Sequence, residues 1–271
     1  MKLHATVATY SNAGTFQKTS DELKKYAQFQ KRIIAIEGPI GAGKTTLGQS
    51  MAAVLNQMGI PAVFLEEKYN SDFLELFCKS PKDYAFSFQM SMLNACQHNY
   101  LQACHKSEQV MVVIVDRTIW GNAVFAALHV ENGNITAEEF KVYCSCMNQY
   151  GPYRFDHVIY LDIDSETSLN RIAKRGRHAE KSYTAEYLQS LEMAYYTQIY
   201  AQMTTNHSNI TVLSNDVFYE ARSVFDAILY PQAKDGQNFV FPGDVSPDKK
   251  QLTYEDVRKG FELLTNFFSS S

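Results

Sequence analysis

The sequence predicts an α/β protein built on a doubly wound parallel sheet of about five strands, with helices on both faces. Short, fully apolar runs recur at Ile33-Ile34-Ala35-Ile36, Met111-Val112-Val113-Ile114-Val115 and Val158-Ile159-Tyr160-Leu161. Runs of this length without polar alternation suit strands buried on both faces. Helix-length segments separate them, as crossover connections between parallel strands require. The first run also ends at a glycine-rich loop that opens into a helical pattern.

In chain order, Ser20 caps a short helix over 21–30, with acids in its first turn. A strand follows at 33–36, then a helix over 44–58 closed by Gly59-Ile60-Pro61. A second strand is expected at 62–65 and helices at 73–79 and 81–106. The strand at 111–115 has the strongest buried-strand signal. Helices at 136–148, 165–174, 183–204 and 217–229 alternate with strands at 158–161 and 210–213. Residues 231–251, with Pro231, Pro242 and Pro247, read as a surface loop, and 253–268 as a terminal helix docked through Phe261, Leu264 and Phe267. The organisation expected is an N-terminal extension over 1–31, one α/β domain over 32–230, and a loop and helix over 231–271 packed on that domain.

Composition narrows the function. A chain of 271 residues, 45% hydrophobic, suits one α/β domain with a sizeable core, or a domain with appendages. A formal charge of −4 gives no general pull toward nucleic-acid polymers or acidic membranes, so any anion site must be local. Five cysteines (Cys78, Cys96, Cys104, Cys144, Cys146) with no secretory leader indicate a reduced, intracellular setting. Cys144-Ser145-Cys146 lacks the partners a zinc site needs. The sequons at Asn134, Asn206 and Asn209 then read as caps or turns. No apolar run reaches membrane-spanning length, so a soluble protein is expected. Asp21 and Glu22, and the lack of arginine before Arg32, favour a plain extension and a cytoplasmic protein over a transit peptide and a mitochondrial one.

The chemistry begins at Gly38-Pro39-Ile40-Gly41-Ala42-Gly43-Lys44-Thr45, a Walker A pattern between a strand and a helix start. Its glycines let backbone N–H groups face phosphate oxygens, and the helix N-terminus adds positive potential there. Lys44 can reach the β- and γ-phosphates, and the Thr45 hydroxyl can ligate Mg²⁺. The ATP contacts expected are Gly38, Gly41, Ala42, Gly43, Lys44, Thr45 and Thr46. The fold is thereby of the P-loop NTPase type.

The loop does not say what receives the phosphate. Glu66-Glu67 follows the second strand, where a carboxylate can take a proton from an attacking hydroxyl or simply be solvated. Asp116-Arg117 follows the third strand, where the acid can hold Mg²⁺ and the arginine can stabilise phosphate, or the two can form a structural ion pair. Arg171, Arg175 and Arg177 have no acid among them until Glu180. Such a charge run can be a solvated face, but the mutual repulsion calls for an anion, so they read as a lid closing on phosphates. Gln89 can pair with a nucleobase edge beside a stacking Phe88, or bond to backbone as a core residue.

Taken in order, these motifs resemble the deoxynucleoside kinase family, the group of deoxycytidine, deoxyguanosine and deoxyadenosine kinases. The resemblance runs from about Arg32 to Asp216 and includes Leu65-Glu66-Glu67, Asp116-Arg117-Thr118 and Thr211-Val212-Leu213-Ser214-Asn215-Asp216. It implies transfer of the ATP γ-phosphoryl group to a deoxynucleoside 5′-hydroxyl with Mg²⁺, in a homodimer. It implies Glu67, or else Glu66, as the base. It implies Gln89 and Phe88 at the nucleobase, Asp116 and Arg117 near the metal and the 5′ end, and Arg171, Arg175 and Arg177 as the lid. Glu180 would bond the sugar 3′-hydroxyl and Asp216 would lie near adenine. The chain departs from the family at three positions: Cys78 stands where a tyrosine is usual, Cys96 where an arginine is common, and Asn122 where its aspartate partner stands. These departures leave base preference open. Two other readings compete: a nucleoside monophosphate kinase, with Lys68 and Arg117 for the acceptor phosphate, and a non-catalytic nucleotide-binding subunit.

Overall fold

A computed structural model of the chain describes residues 31–106, 109–151, 153–204 and 209–214. The elements are β1 (Arg32–Glu37), α1 (Lys44–Gln57), β2 (Ala62–Leu65), α2 (Ser71–Lys79), α3 (Pro81–His105), β3 (Val112–Asp116), α4 (Ile119–Glu131), α5 (Ala137–Asn148), β4 (His157–Asp162), α6 (Ser165–Arg175), α7 (Ala185–Thr204) and β5 (Asn209–Ser214), with a 3₁₀ turn at Ala179–Ser182 before α7. The expected helices at 21–30, 217–229 and 253–268, the loop at 231–251 and Asp216 lie outside the described residues.

The five strands pair in the order β2-β3-β1-β4-β5, and every pairing is parallel. The chain passes from β1 to the edge strand β2, returns to β3 beside β1, and then crosses to β4 and β5 on the other side of β1. The crevice this reversal leaves at the strand C-termini is where open α/β sheets bind ligands. Alternation along each strand divides the core. Ile34, Ile36, Ile114, Ile159 and Leu161 pack with Met51, Ala52 and Leu55 of α1. Ile33, Ala35, Val113, Val115, Val158 and Tyr160 pack with residues of α3, α4, α5 and α7, among them Leu93, Val124, Phe140 and Leu191. The doubly wound sheet expected from the apolar runs is therefore present.

Local chemistry sets the helix starts. Asn70 caps α2 and Asp164 caps α6 through their side chains. Thr136 and Glu139 form a reciprocal capping box on α5, so this part of the sequon is a cap. The expected helix at 183–204 is present as α7, beginning two residues later at Ala185 after the 3₁₀ turn. One helix, α4, was not foreseen. Ile119, Trp120, Val124, Phe125, Leu128 and Val130 make it apolar nearly all round, so it carries no 3.6-residue stripe for the eye to follow. It is packed between α3 and α7. No helix among the described residues is long and apolar enough to cross a membrane.

Candidate active site

The phosphate loop leaves β1 at Glu37 and enters α1 at Lys44. Gly38 holds φ at 145°, and a Cβ there would lie 2.8 Å from the Leu161 carbonyl oxygen, so only glycine fits without a shift. The Lys44 ammonium donates to the Gly38 and Pro39 carbonyls at 2.9 Å each. Burial pulls its pKa down to about 8, with Arg117 pushing the same way and Asp116, Glu67 and Glu37 opposing. Ser168 of α6 donates to the Ile40 carbonyl and braces the loop from the side. Gly41, Ala42 and Gly43 complete the turn, Ala42 buried and Thr46 exposed on the first turn of α1.

At the end of β3, Asp116 meets this loop. Thr45 Oγ1 donates to Asp116 Oδ2 at 2.8 Å, while the buried Oδ1 has no hydrogen-bond partner among the described residues. A divalent cation between the Thr45 hydroxyl and this carboxylate would satisfy that oxygen. The all-oxygen pair suits Mg²⁺, which keeps most of its ligands as water and phosphate. Consistent with so sparse a donor set, no group of three or more His, Cys, Asp or Glu among the described residues is placed to hold a metal.

Arg117, the next residue, has φ 74°, and is the one non-glycine among the described residues at positive φ. This backbone turns its guanidinium toward Glu67, whose Oε1 accepts from Nε at 2.9 Å. The Tyr195 hydroxyl accepts from Nη1, and the Phe125 ring lies 4.7 Å beneath the guanidinium. Burial works against the charge, but Glu67, Tyr195, Glu37 and Asp116 outweigh it, and Arg117 stays cationic. Of the acidic pair after β2, Glu67 is thus the one joined to the Asp116-Arg117 turn. Glu66 is exposed, and its backbone carbonyl accepts from Asn99.

The arginines expected to form a lid are placed differently from the expectation. Arg175 donates through Nε and Nη2 to Glu180 Oε2 at 3.0 and 2.7 Å, and Arg177 Nη1 donates to Oε1 at 3.2 Å. The repulsion read from the sequence is therefore already relieved by Glu180. The reason is Gly176, whose left-handed φ of 72° ends α6 and folds the chain back into the 3₁₀ turn that carries Glu180. Arg171 stands apart, with Nη1 3.5 Å from the Gly41 carbonyl.

The expected base-recognition residues Gln89 and Phe88 lie side by side on α3, with Phe88 turned to α2. Gln89 is buried at 3% exposure, and Phe88 stacks on Phe77 with centroids 4.7 Å apart. The two departures Cys96 and Asn122 meet directly: the Asn122 amide donates to Cys96 Sγ at 3.3 Å and its Oδ1 accepts from Tyr143 at 3.4 Å. Burial holds the Cys96 thiol far above its ordinary pKa, so the pair is neutral. Cys78 lies half-buried on α2, bonded to Ser182 and Tyr183 beside Glu180.

A sequence model of the deoxynucleoside kinase family matches residues 34–233. The chain belongs to the deoxynucleoside kinase family. The chain is 38% identical over 165 residues to the deoxyadenosine kinase of Dictyostelium discoideum, covering 60% of this chain and 64% of that protein. It is 33% identical over 200 residues to the deoxyguanosine kinase of the same organism, covering 73% and 68%. The chain thus spans about two thirds of the length of these relatives. Its fold is similar to that of a deoxyadenosine kinase from M. mycoides solved with bound dATP, with a TM-score of 0.62 and 25% identity over 73% of this chain and 99% of that one.

Three residues of the site had no assigned role in the sequence reading. Glu37 is fully buried and bonds Gly38 and Thr118. Tyr195 holds Arg117 and donates to the Gly121 carbonyl at 3.3 Å. Ser168 braces the loop of the kinase from α6. Only Glu37 had a signal, a charged residue at the end of an apolar strand directly before the first loop glycine.

Proposed function

We propose that this kinase transfers the γ-phosphoryl group of ATP to the 5′-hydroxyl of a deoxynucleoside. The observation that carries this reading is the 2.9 Å bond between Glu67 and Arg117, which sets a carboxylate at the Asp116-Arg117 turn within electrostatic reach of Lys44. Glu67 takes the proton of the 5′-hydroxyl as its oxygen bonds to the γ-phosphorus, and the bond to the β-phosphate oxygen breaks to release ADP. Lys44 and the loop N–H groups bear the charge on the phosphate chain, and Arg117 orients Glu67 and faces the developing charge. Thr45 and Asp116 would hold Mg²⁺, which when bound would neutralise further charge on the phosphate oxygens. Arg171, Arg175 and Arg177 close over the donor, and Glu180 with Gln89 and Phe88 receives the nucleoside. Asp216 is assigned to the adenine end of the donor, and the assembly to a homodimer, which a mass measurement in solution tests.

The names of the Dictyostelium relatives, deoxyadenosine and deoxyguanosine kinase, favour a purine deoxynucleoside as acceptor. A monophosphate acceptor is disfavoured because Arg117, a cation it would need, is already committed to Glu67 and Tyr195. Initial rates with ATP and Mg²⁺ against the four deoxynucleosides and their monophosphates test the proposal. Phosphorylation of deoxyadenosine or deoxyguanosine is expected. Turnover of monophosphates alone would overturn it, as would silence across the panel with ATP still bound.

A further inference from the structure

Glu37 is 1% exposed at the end of β1, and its carboxylate is surrounded by donors. Oε2 accepts from the Gly38 N–H at 3.2 Å, the first amide of the phosphate loop. Oε1 accepts from both the backbone N–H and the hydroxyl of Thr118, the latter at 2.6 Å. Arg117 Nη1 lies 3.9 Å from Oε2. An ionised carboxylate accepts from all of these groups at once, with no proton of its own to place among the donors. Burial pushes the Glu37 pKa up, while Arg117, the Thr118 bonds and Lys44 hold it down.

The contacts reach further. The Thr118 hydroxyl that donates to Glu37 also accepts from the Gly121 N–H at 2.9 Å and so caps α4, the helix of Asn122 and Phe125. A Cβ on Gly121 would collide with the Glu37 carboxylate, so the two elements approach as closely as a glycine permits. Between Glu37 and this cap stands Arg117 in its left-handed conformation, with its N–H on the Ile36 carbonyl at 2.9 Å. β1 therefore grips the strained residue on both sides, through Ile36 and through Glu37.

We propose that Glu37 is a positioning residue that ties the phosphate loop to the Asp116-Arg117-Thr118 turn and so aims Arg117 at Glu67. The inference rests on the proposed roles of Arg117 and Glu67, but its geometry does not. Glu37→Gln keeps the shape and replaces one acceptor oxygen with a donor that faces an N–H or a hydroxyl.

The test combines kinetics with the side-chain Nε–H resonance of Arg117 in ¹⁵N-arginine-labelled protein, assigned by its loss in Arg117→Lys. In Glu37→Gln, kcat is expected to fall about 100-fold, the loss typical of a misplaced reacting group. Affinity for a non-hydrolysable ATP analogue should stay near that of the wild type, and the protected Nε–H signal should weaken or vanish. A folded Glu37→Gln enzyme with wild-type kcat, or with the Nε–H signal intact, would overturn the inference. Loss of analogue binding in parallel with kcat would do the same, since it would mark Glu37 as a prop of the loop alone. If the wild type phosphorylates no nucleoside, the function proposed above fails while the resonance still decides the role of Glu37. If Glu37→Gln does not fold, Thr118→Val, which keeps the carboxylate and removes one of its donors, must show the same changes at smaller amplitude, and an unchanged kcat and resonance there would overturn the inference.

Discussion

Glu180 accepts three hydrogen bonds from Arg175 and Arg177, and at 5% exposure it is almost wholly enclosed between them and the turn that carries it. Two of the three cations proposed for the lid are thus already neutralised by a carboxylate of the same segment. A triphosphate entering beneath the lid would compete with this carboxylate for both guanidiniums.

Replacing Glu180 with glutamine should therefore separate the two substrates. The freed arginines should bind ATP more tightly, while KM for the deoxynucleoside should rise as the carboxylate is lost. Calorimetry with ATP and initial rates against nucleoside concentration read the two effects. Weaker ATP binding in the variant would mean that these arginines do not turn to the phosphates.

Glu67→Gln keeps an oxygen acceptor for Arg117 Nε but cannot take a proton. Loss of a general base lowers kcat by about 10²- to 10⁴-fold. ATP binding should be retained, because Lys44 and the loop are untouched. Full activity would remove Glu67 as the base.

Lys44 has a pKa of about 8 in the free protein, below its ordinary value. A bound phosphate chain favours the ammonium and raises that pKa. ATP binding should then take up a proton near and above pH 8, and affinity should weaken as pH rises through this value, by up to about tenfold per pH unit. Calorimetry in buffers of different ionisation enthalpy measures the uptake. A pH-independent affinity between pH 7 and pH 9 would show that Lys44 keeps its charge in the free protein.

Asn122→Ala removes the partner of two buried groups, the Tyr143 hydroxyl and the Cys96 thiol. Stranded polar groups of this kind cost about 1–3 kcal/mol. Denaturant unfolding should show a loss in that range, with a change in relative kcat/KM among the four deoxynucleosides. A stable variant with unaltered base preference would place this pair outside the recognition wall.

Much of the architecture was legible from residue order. Ile33 to Ile36 and the other apolar runs could be stable only as strands covered on both sides, which implied the parallel sheet. Gly38, Gly41 and Gly43 with Lys44 announced the phosphate loop because that site is built from local backbone conformation, which nearby residues control. Helix α4 escaped notice for the opposite reason. Its buried setting makes almost every position apolar, so the periodicity that betrays a half-exposed helix is missing.

The sequence by itself determined the class of fold, the phosphate loop and the roster of charged residues around it, since each depends on short-range pattern and backbone preference. Tertiary structure alone decided how those charges pair. Arg117 meets Glu67 across 50 residues, Thr118 meets Glu37 across 81, and Asn122 meets Cys96 across 26. Such contacts follow from which strand lies beside which and from where a single left-handed residue points its side chain. No local propensity encodes them, and the energy of a buried charge depends on the groups that packing brings within reach of it.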